Sequence, residues 1–446
     1  MSVSPPPKSV DLRSVPLTES RYVRPLILIT SLFFLWAFGV NLNDILIPHL
    51  KAAFGLTDFQ SSFIQIAFFG GYFLAAIPAG KLMERIGYKR GILTGLALCA
   101  AGALLFLPAA SSKLYAFFLF ALFVMACGQS FLEVAANPYV TVLGPPESAE
   151  RRLNLTQSFN AVGAVVTPFI GAAFILTAVE YSPQQLKLLS PDQLSAYQTA
   201  QAATVRIPYL VIAGVFLAVA VLIYITHLPE VRGETEHSEN DDARSWGKVL
   251  SHRHLVRGVI AQFFYVGAQV GVASFIIRFA QHAEPGLAAK DAANYLKLHL
   301  VGFMIGRFLG SAIMKRVPAS RLLALFAGGS FACALAAITL TGSVSVLAVV
   351  LIGFFHSIMF PTIFALGIKN LGPYTERGSS LLVMSIIGGA VFPAIMGRIS
   401  DGWDIQRAFL VPLVGYAYIL YFAISGYRPE ASAQRPAQAA FERTAK

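Results

Sequence analysis

Residues 80–91 read GKLMERIGYKRG, a short charged stretch between two long apolar runs. Gly80 allows two helices to pack closely, and Gly87 allows the tight turn that a short connection needs. The stretch also contains charged residues that can form a network at the membrane surface: Glu84, Arg85, Lys89 and Arg90. It therefore predicts a turn between two membrane-spanning helices, held by charged side chains.

The composition indicates that the chain folds in lipid. Of its 446 residues, 56% are hydrophobic and 13% are charged, and the mean hydropathy is +0.64. A soluble domain usually has about 25% charged residues. The three cysteines, Cys99, Cys127 and Cys333, lie in separate apolar runs, so they predict packing rather than a disulfide framework or a metal site. The sequence predicts an all-α membrane protein with no metal and no cofactor.

Twelve apolar runs are long enough to cross a bilayer, which takes about 20 helical residues. The predicted spans are 25–50, 60–82, 91–111, 114–143, 154–179, 205–228, 254–281, 292–314, 320–341, 344–370, 378–402 and 407–427. The first run is too long for a cleavable signal peptide, so we expect it to remain as a helix.

An acid-rich stretch, residues 229–250, divides the predicted spans into two sets of six. It has no apolar period, which is typical of a solvated linker. The predicted organisation is a cytoplasmic tail (1–24), an N-terminal six-helix bundle (25–228), a cytoplasmic linker (229–250), a C-terminal six-helix bundle (251–428) and a second cytoplasmic tail (429–446).

The basic residues predict the orientation in the membrane. The net charge is +11, and most of the 34 lysines and arginines fall in the tails and in the loops that share their side. Basic residues favour the cytoplasmic side, so both termini are expected there. The basic residues are dispersed over short loops, and the charge therefore indicates topology rather than a nucleic-acid partner.

The two halves resemble each other weakly. PYVTVLG (138–144) has a counterpart in PTIFALG (361–367), and GAVVTP (163–168) has one in GGAVFP (388–393). Duplication of a six-helix unit places the substrate site of many transporters between the halves, near the middle of the membrane.

Five stretches resemble known proteins. Residues 80–91 resemble the signature loop of the major facilitator superfamily. Four more stretches resemble its fucose and glucose/galactose sugar:proton symporters: FFLWAFGVNLNDILIP (33–48), FLEVAANPYVTVLG (131–144), RLNLTQSFNAVGA (152–164) and FPTIFALGIKNLG (360–372). The resemblance implies the major facilitator fold of two six-helix bundles, a gating role for the loop at 80–91, a sugar substrate, alternating access and proton coupling by Asp44 and Glu133.

These two acids also stand out without the resemblance, because they are the acids that lie well inside predicted spans. Placing a charged carboxylate in the bilayer costs free energy, so an acid inside a span marks a functional site. Asp44 and Glu133 can therefore carry protons as well as bind hydroxyl groups. The alternative is a structural pairing with an arginine inside a span, such as Arg278 or Arg307.

Polar and aromatic side chains recur at helical spacing and predict faces that line a sugar cavity. Amides and carboxylates exchange hydrogen bonds with hydroxyls, and a flat aromatic ring packs on the C–H face of a sugar. The candidate substrate-binding residues are Trp36, Asn41, Asn137, Gln157, Asn160, Gln262, Tyr265 and Gln269. The alternatives are amides that join helices to each other, and ordinary packing or an interfacial position for Trp36.

Two histidines and two prolines also fall inside predicted spans. His299 and His356 can belong to a proton path or can be buried polar groups with satisfied hydrogen bonds. Pro138 and Pro361 remove helical hydrogen bonds and predict bends near the cavity.

One departure from the resemblance concerns the substrate. Fucose-transporting members have Gln-Tyr before the proline of the tenth span, whereas this chain has Met359 and Phe360. Two hydrogen-bonding side chains are lost there, so the sugar need not be fucose.

Together these features predict a transporter rather than an enzyme: a monomeric, proton-coupled symporter of a neutral hexose or deoxyhexose in the bacterial inner membrane. Three alternatives stay open from the sequence. A passive sugar facilitator needs no titrating carboxylate, and a drug:proton antiporter is expected to have a more apolar cavity. An intramembrane aspartyl protease also uses two carboxylates, but the chain has no Gly-x-Gly-Asp stretch.

Overall fold

The structure is a computed structural model of the chain. It describes residues 11–54, 56, 58–112, 114–174, 185, 188–229 and 245–429. Side chains are described at these positions except at 38–53, 58–59, 61–62, 168–174, 195, 198, 201–203 and 289.

The described residues of the first half form six helices. They are α1 (Val23–Phe54), α2 (Asp58–Ser112), α3 (Tyr115–Val142), α4 (Ala149–Phe174), α5 (Pro191–Thr204) and α6 (Arg206–Ile225). The long α2 contains two crossings, because Gly87 interrupts it with the non-helical angles φ 77° and ψ 171°. A positive φ is readily adopted only by glycine, which explains why the turn falls at this residue.

Ten helices form the described residues of the second half. They are α7 (Trp246–Ser251), α8 (Arg253–Ala283), α9 (Ala289–Ile313), α10 (Ala319–Thr339), α11 (Gly342–His356), α12 (Met359–Gly367), α13 (Thr375–Met384), α14 (Gly388–Gly402), α15 (Ile405–Ala408) and α16 (Leu410–Tyr421). α11 with α12, α13 with α14, and α15 with α16 each form one crossing.

The chain thus crosses the membrane twelve times, six times in each half, as the sequence predicts. Nine helices of the described part are long and apolar enough to span a bilayer, counting the double-length α2 as one. The helix α5 lies in the 180–204 stretch, where no span is predicted. It is 14 residues long, and its mixture of polar residues and alanines gives no apolar run for a sequence pattern to detect.

Polar contacts show how successive crossings alternate. The Tyr115 hydroxyl donates to the carbonyl oxygen of Gln60 at 2.7 Å, so the start of α3 lies beside the start of α2. At the Gly87 turn, the Lys89 ammonium donates to the carbonyl oxygens of Tyr224 and Thr226, both at 2.9 Å. We call the side of the molecule with the Gly87 turn and the end of α6 the terminal face, and the other side the opposite face.

The centre of the molecule lies where the two halves meet. Every residue of α3 from Gly128 to Val140 is buried, which is unusual for a helix that faces lipid on one side. α3 packs against α2 and α4 in its own half and against α12 and α13 in the other half. This central helix carries the acid Glu133 into the middle of the protein.

Candidate functional site

A cavity of about 500 Å³ lies between the two halves. Small-molecule sites usually measure about 300–1,000 Å³, so this volume fits a ligand of modest size. The first half contributes Trp36, Gln65, Phe68, Phe69, Tyr72, Glu133, Gln157, Asn160, Ala161, Ala164 and Val165. The second half contributes Val266, Gln269, Val270, Ala273, Ser274, Leu296, His299, Leu300, Phe303, Arg307, Phe360 and Ile386.

The cavity extends towards the opposite face. Its lining residues in α2, from Gln65 to Tyr72, lie in the half of the crossing that begins at that face, and those in α9 follow from Leu296 in a helix that also begins there. The wall is mostly apolar with a few polar groups, which is typical of a small-molecule site. Among the lining residues, one acid (Glu133) and one arginine (Arg307) balance each other in charge. The cavity thus suits a ligand without net charge.

Glu133 is held at the cavity by the buried part of α3. It is only 6% exposed, although its side chain reaches the cavity surface. Asn137, one helical turn later, donates from its amide nitrogen to the main-chain oxygen of Glu133 at 3.1 Å. The Asn137 side chain also interacts with the Glu133 carboxyl group, so Asn137 holds this acid at the edge of the cavity.

A chain of hydrogen bonds links Asn137 to the other half. The Gln157 amide nitrogen donates to the Asn137 side-chain oxygen at 2.9 Å. Arg307 then donates from Nη1 to the Gln157 side-chain oxygen at 3.1 Å and to the Gln157 main-chain oxygen. Asn137 and Gln157 belong to the first half and Arg307 to the second, so this chain of bonds crosses the interface.

A proline in the tenth crossing explains where Arg307 is anchored. Pro361 has no N–H and cannot donate to the carbonyl oxygen of Ser357, four residues earlier. Arg307 donates from Nε to that oxygen at 2.9 Å and therefore replaces the missing helical bond. The helix is interrupted at the same place, between α11 and α12. In α3, by contrast, Pro138 lies within one continuous helix.

Trp36 also lines the cavity, and its polar edge is fixed. Its indole N–H donates to the Tyr72 hydroxyl at 3.3 Å, and that hydroxyl donates to the Gln129 side-chain oxygen at 3.3 Å. With the edge held in this way, the indole face is oriented by its neighbours rather than by a ligand. Such a face can stack on the C–H side of a sugar.

The other candidate residues fall on both sides of the cavity wall. Asn160 and Gln269 line the cavity, and Asn160 donates to the main-chain oxygen of Phe33 at 3.1 Å. Gln262 and Tyr265 are fully buried behind the wall. Both amide atoms of Gln262 are buried without a hydrogen-bond partner in the described part of the chain.

Asn41 and Asp44 belong to α1, but their side chains lie outside the residues whose side chains the structure describes. Their proposed roles stay predictions from the sequence. Arg278, one possible partner for an intramembrane acid, lies over the ring of Phe275 at 4.2 Å on its own helix.

At the terminal face the two halves are closed against each other. Glu84 accepts hydrogen bonds from both Nε and Nη2 of Arg377, the latter at 3.1 Å. Lys369 pairs with Glu150 at 2.7 Å. Deeper in the protein, Asn154 donates to the Thr362 hydroxyl at 3.1 Å. The cavity is therefore shut on the terminal side.

Gly80 lies in the same closed contact. A Cβ atom at this position would lie 1.8 Å from the Ser380 hydroxyl and 3.0 Å from the main-chain oxygen of Glu376. The close approach inferred from the sequence is thus an approach between the two halves. Three other charged residues of the loop, Lys81, Arg85 and Arg90, are exposed to solvent.

Two features of the second half bear on ligand choice. Phe360 lines the cavity, whereas Met359 is fully buried beside it. His299 lines the cavity as well, and His356 lies behind it with its Nε2 atom 2.6 Å from the Tyr416 hydroxyl.

The sequence patterns did not select Gln65 or Tyr72 as candidate residues, and they indicated Arg307 only as a partner for an acid. The signal available for Arg307 was an arginine inside an apolar span.

Comparisons with known proteins agree with this architecture. Residues 29–386 match the profile of the Major Facilitator Superfamily. The chain is 43% identical to the glucose/galactose transporter of Brucella abortus biovar 1 (strain 9-941), over 94% of this chain and 98% of that protein. It is 45% identical to the L-fucose-proton symporter of Escherichia coli (strain K12), over 90% of this chain and 93% of that protein.

A solved structure has the same overall shape. The transporter FucP of the same superfamily, crystallised in its outward conformation, matches with a TM-score of 0.84 and 46% identity. The match covers 90% of this chain and 98% of that one.

Proposed function

The chain belongs to the Major Facilitator Superfamily, and we propose that within it the protein is a proton-coupled symporter of a neutral hexose or deoxyhexose. The observation that carries this proposal is the position of Glu133. Its carboxyl group borders a sugar-sized cavity between the halves, beside a chain of hydrogen bonds that crosses to the other half. A proton on this group can therefore affect both ligand binding and the contact between the halves.

The cavity supports a neutral, hydroxyl-rich substrate. It offers an indole face from Trp36 and amide groups from Gln157, Asn160 and Gln269. A hydroxyl group can both donate to and accept from an amide, whereas a purely apolar drug would form no hydrogen bond with these groups. The relatives named for glucose, galactose and fucose transport support the same substrate class.

The closed terminal face supports transport by alternating access. In the proposed cycle the described state opens to the exterior, and the terminal face is cytoplasmic because basic residues favour that side. Opening to the cytoplasm then requires separation of Glu84 from Arg377 and of Glu150 from Lys369. The outward conformation of FucP supports this assignment of the state.

We propose the domain organisation that the sequence predicts, with both termini in the cytoplasm of a bacterial cell and the bilayer as the inner membrane. The linker at 229–250 lies largely outside the described residues. Both walls of the cavity come from one chain, so a monomer contains the whole site.

Coupling is proposed to act through the charge of Glu133. When the carboxyl group is ionised, it attracts the Arg307 cation on the facing wall of the cavity. When it is protonated, this attraction is lost, while the hydrogen bonds from Arg307 to Gln157 and Ser357 remain. Proton binding thus changes the force between the halves at the point where the sugar is expected to bind.

The test is uptake of labelled sugars into proteoliposomes with and without an imposed pH gradient. We expect one neutral sugar from a panel of fucose, galactose, glucose, mannose and N-acetylhexosamines to accumulate above equilibrium and to leak back when a protonophore is added. Uptake that never exceeds equilibrium and does not depend on pH would identify a passive facilitator. Competition by a sugar phosphate alone would contradict the neutral substrate.

A further inference from the structure

His299 is a polar side chain on a wall of the cavity that is otherwise largely apolar. From α9 the lining residues are Leu296, His299, Leu300, Phe303 and Arg307. The Arg307 guanidinium already donates to Gln157 and Ser357 across its two polar edges. His299 has no such partner in the first half among the hydrogen bonds of the described residues.

The back of the His299 ring is held in place. Nδ1 lies 3.3 Å from the main-chain oxygen of Val349. A carbonyl oxygen only accepts hydrogen bonds, so Nδ1 carries the hydrogen. In a neutral imidazole the other nitrogen, Nε2, then has no hydrogen and acts as an acceptor.

Two neighbours fix the orientation of the ring. Gly353 lies against it so closely that a Cβ atom there would be 2.8 Å from the His299 Cγ atom. The ring of His356 stands edge-on to it with the centroids 6.1 Å apart. The residue is only 2% exposed, so its acceptor nitrogen has little contact with water beyond the cavity.

We infer that His299 is a specificity-determining residue whose Nε2 accepts a hydrogen bond from one hydroxyl group of the transported sugar. The inference rests on the proposed function, because it needs a hydroxylated ligand in the cavity. A pre-oriented acceptor on an apolar wall discriminates strongly, since a ligand without the matching hydroxyl leaves the nitrogen buried and unpaired. The sugar would then be recognised by Trp36 and by the amides of Gln157, Asn160 and Gln269, and His299 would read one further position of the ring.

The test uses two substitutions that distinguish the role of Nδ1 from the role of Nε2 in His299. In His299→Asn the amide nitrogen can still donate to the Val349 oxygen, but no acceptor reaches the position of Nε2. In His299→Gln the longer amide can place an oxygen near that position. We measure exchange of labelled for unlabelled sugar at equilibrium in proteoliposomes, using the sugar that the wild-type protein accepts.

We expect His299→Asn to raise the half-saturating sugar concentration by about fivefold to twentyfold, the effect of one lost hydrogen bond. His299→Gln should recover part of this loss. His252→Asn is the matched control, because Nδ1 of His252 also lies near a main-chain oxygen, that of Lys248 at 2.9 Å, but at the terminal face. This control should exchange sugar like the wild-type protein.

The identity of the hydroxyl group is tested with monodeoxy analogues of the accepted sugar. One analogue should compete poorly against the wild-type protein, and His299→Asn should remove that difference for this analogue only. An unchanged half-saturating concentration in a folded His299→Asn protein would overturn the inference, and so would a changed pH dependence with unchanged affinity. If the wild-type protein exchanges no sugar at all, the proposed function itself is wrong, and the variants are not needed to show it.

Discussion

Arg307 in the second half of the chain donates hydrogen bonds to both the main-chain and the side-chain oxygen of Gln157 in the first half. The same guanidinium replaces the helical bond that Pro361 removes, through the oxygen of Ser357. It also lies over the ring of Phe303 at 4.6 Å. A planar group with several fixed donors can make all these contacts at once, which an ammonium group cannot do.

The first prediction follows from this geometry. Arg307→Lys keeps the charge, but one ammonium group cannot donate to Gln157 and to the Ser357 oxygen at the same time, so we expect equilibrium exchange to fall by about tenfold to a hundredfold. Arg278→Lys is the matched control, because Arg278 packs over Phe275 on its own helix. Exchange is measured in proteoliposomes at equal protein content. Equal activity of Arg307→Lys and the control would show that only the positive charge at 307 matters.

The second prediction concerns the closed terminal face. Gly80→Ala places a methyl group against Ser380 and against the main-chain oxygen of Glu376, so it should disfavour the described state by about 1–3 kcal/mol. Ser380→Gly removes the nearest of these atoms, and the double variant should recover part of the loss. The fractions of molecules with a closed and with an open terminal face can be measured from the distribution of distances between two spin labels. The labels are placed at the exposed positions 147 and 316 after replacement of the native cysteines.

We expect Gly80→Ala to increase the population with the longer distance between the labels. A distribution of label distances identical to that of the wild-type protein would contradict this expectation. It would mean that the extra methyl group is accommodated without opening the terminal face. Recovery by Ser380→Gly would show that the contact with Ser380, rather than a general loss of stability, is responsible.

The twelve crossings can be predicted from the sequence because each must bury a long apolar helix in lipid, and length alone reveals this. Gly87 can be assigned to a turn for a similar reason, since charged residues surround it and glycine tolerates a positive φ. The helix α5 cannot be predicted in this way. It has no apolar run, and its helical state depends on contacts with neighbouring helices.

The cavity was only partly predictable, because helical spacing shows which residues share a face but not where that face points. Gln157 and Asn160 share a face of α4, and both reach the cavity. Gln262 and Tyr265 share a face of α8, yet that face is turned into the second half. The bond between Arg307 and Gln157 joins residues 150 positions apart, and no local pattern encodes such a contact.

A third prediction concerns Asp44, whose role rests on the sequence. Asp44→Asn keeps the shape of the side chain and removes its titrating group. We expect gradient-driven accumulation to fall by about tenfold or more, because a missing proton step removes the driving force. Asp192→Asn, at an exposed position in α5, is the matched control. Wild-type accumulation by a folded Asp44→Asn protein would show that the acid is structural.

The last prediction separates coupling from binding at Glu133. Glu133→Gln replaces the carboxyl group with a neutral amide of nearly the same shape, which resembles the protonated acid. The bond from Asn137 goes to the main-chain oxygen of residue 133, so the hydrogen bonds through Gln157 to Arg307 should persist in this variant. The substitution removes the charge that faces the Arg307 cation.

A symported proton contributes about 2.3 kcal/mol per 100 mV of membrane potential, but only if its uptake is tied to movement of the sugar. Equilibrium exchange needs no such driving force. Glu133→Gln should therefore lose accumulation above equilibrium and keep exchange, and that exchange should depend less on pH than in the wild-type protein. Glu147→Gln, at an exposed position of the terminal face, should retain both activities.

Accumulation by Glu133→Gln with normal pH dependence would falsify the role as proton carrier. Loss of both activities in a folded variant would instead assign Glu133 to sugar binding, and Asp44 would then be the better candidate for the coupling acid.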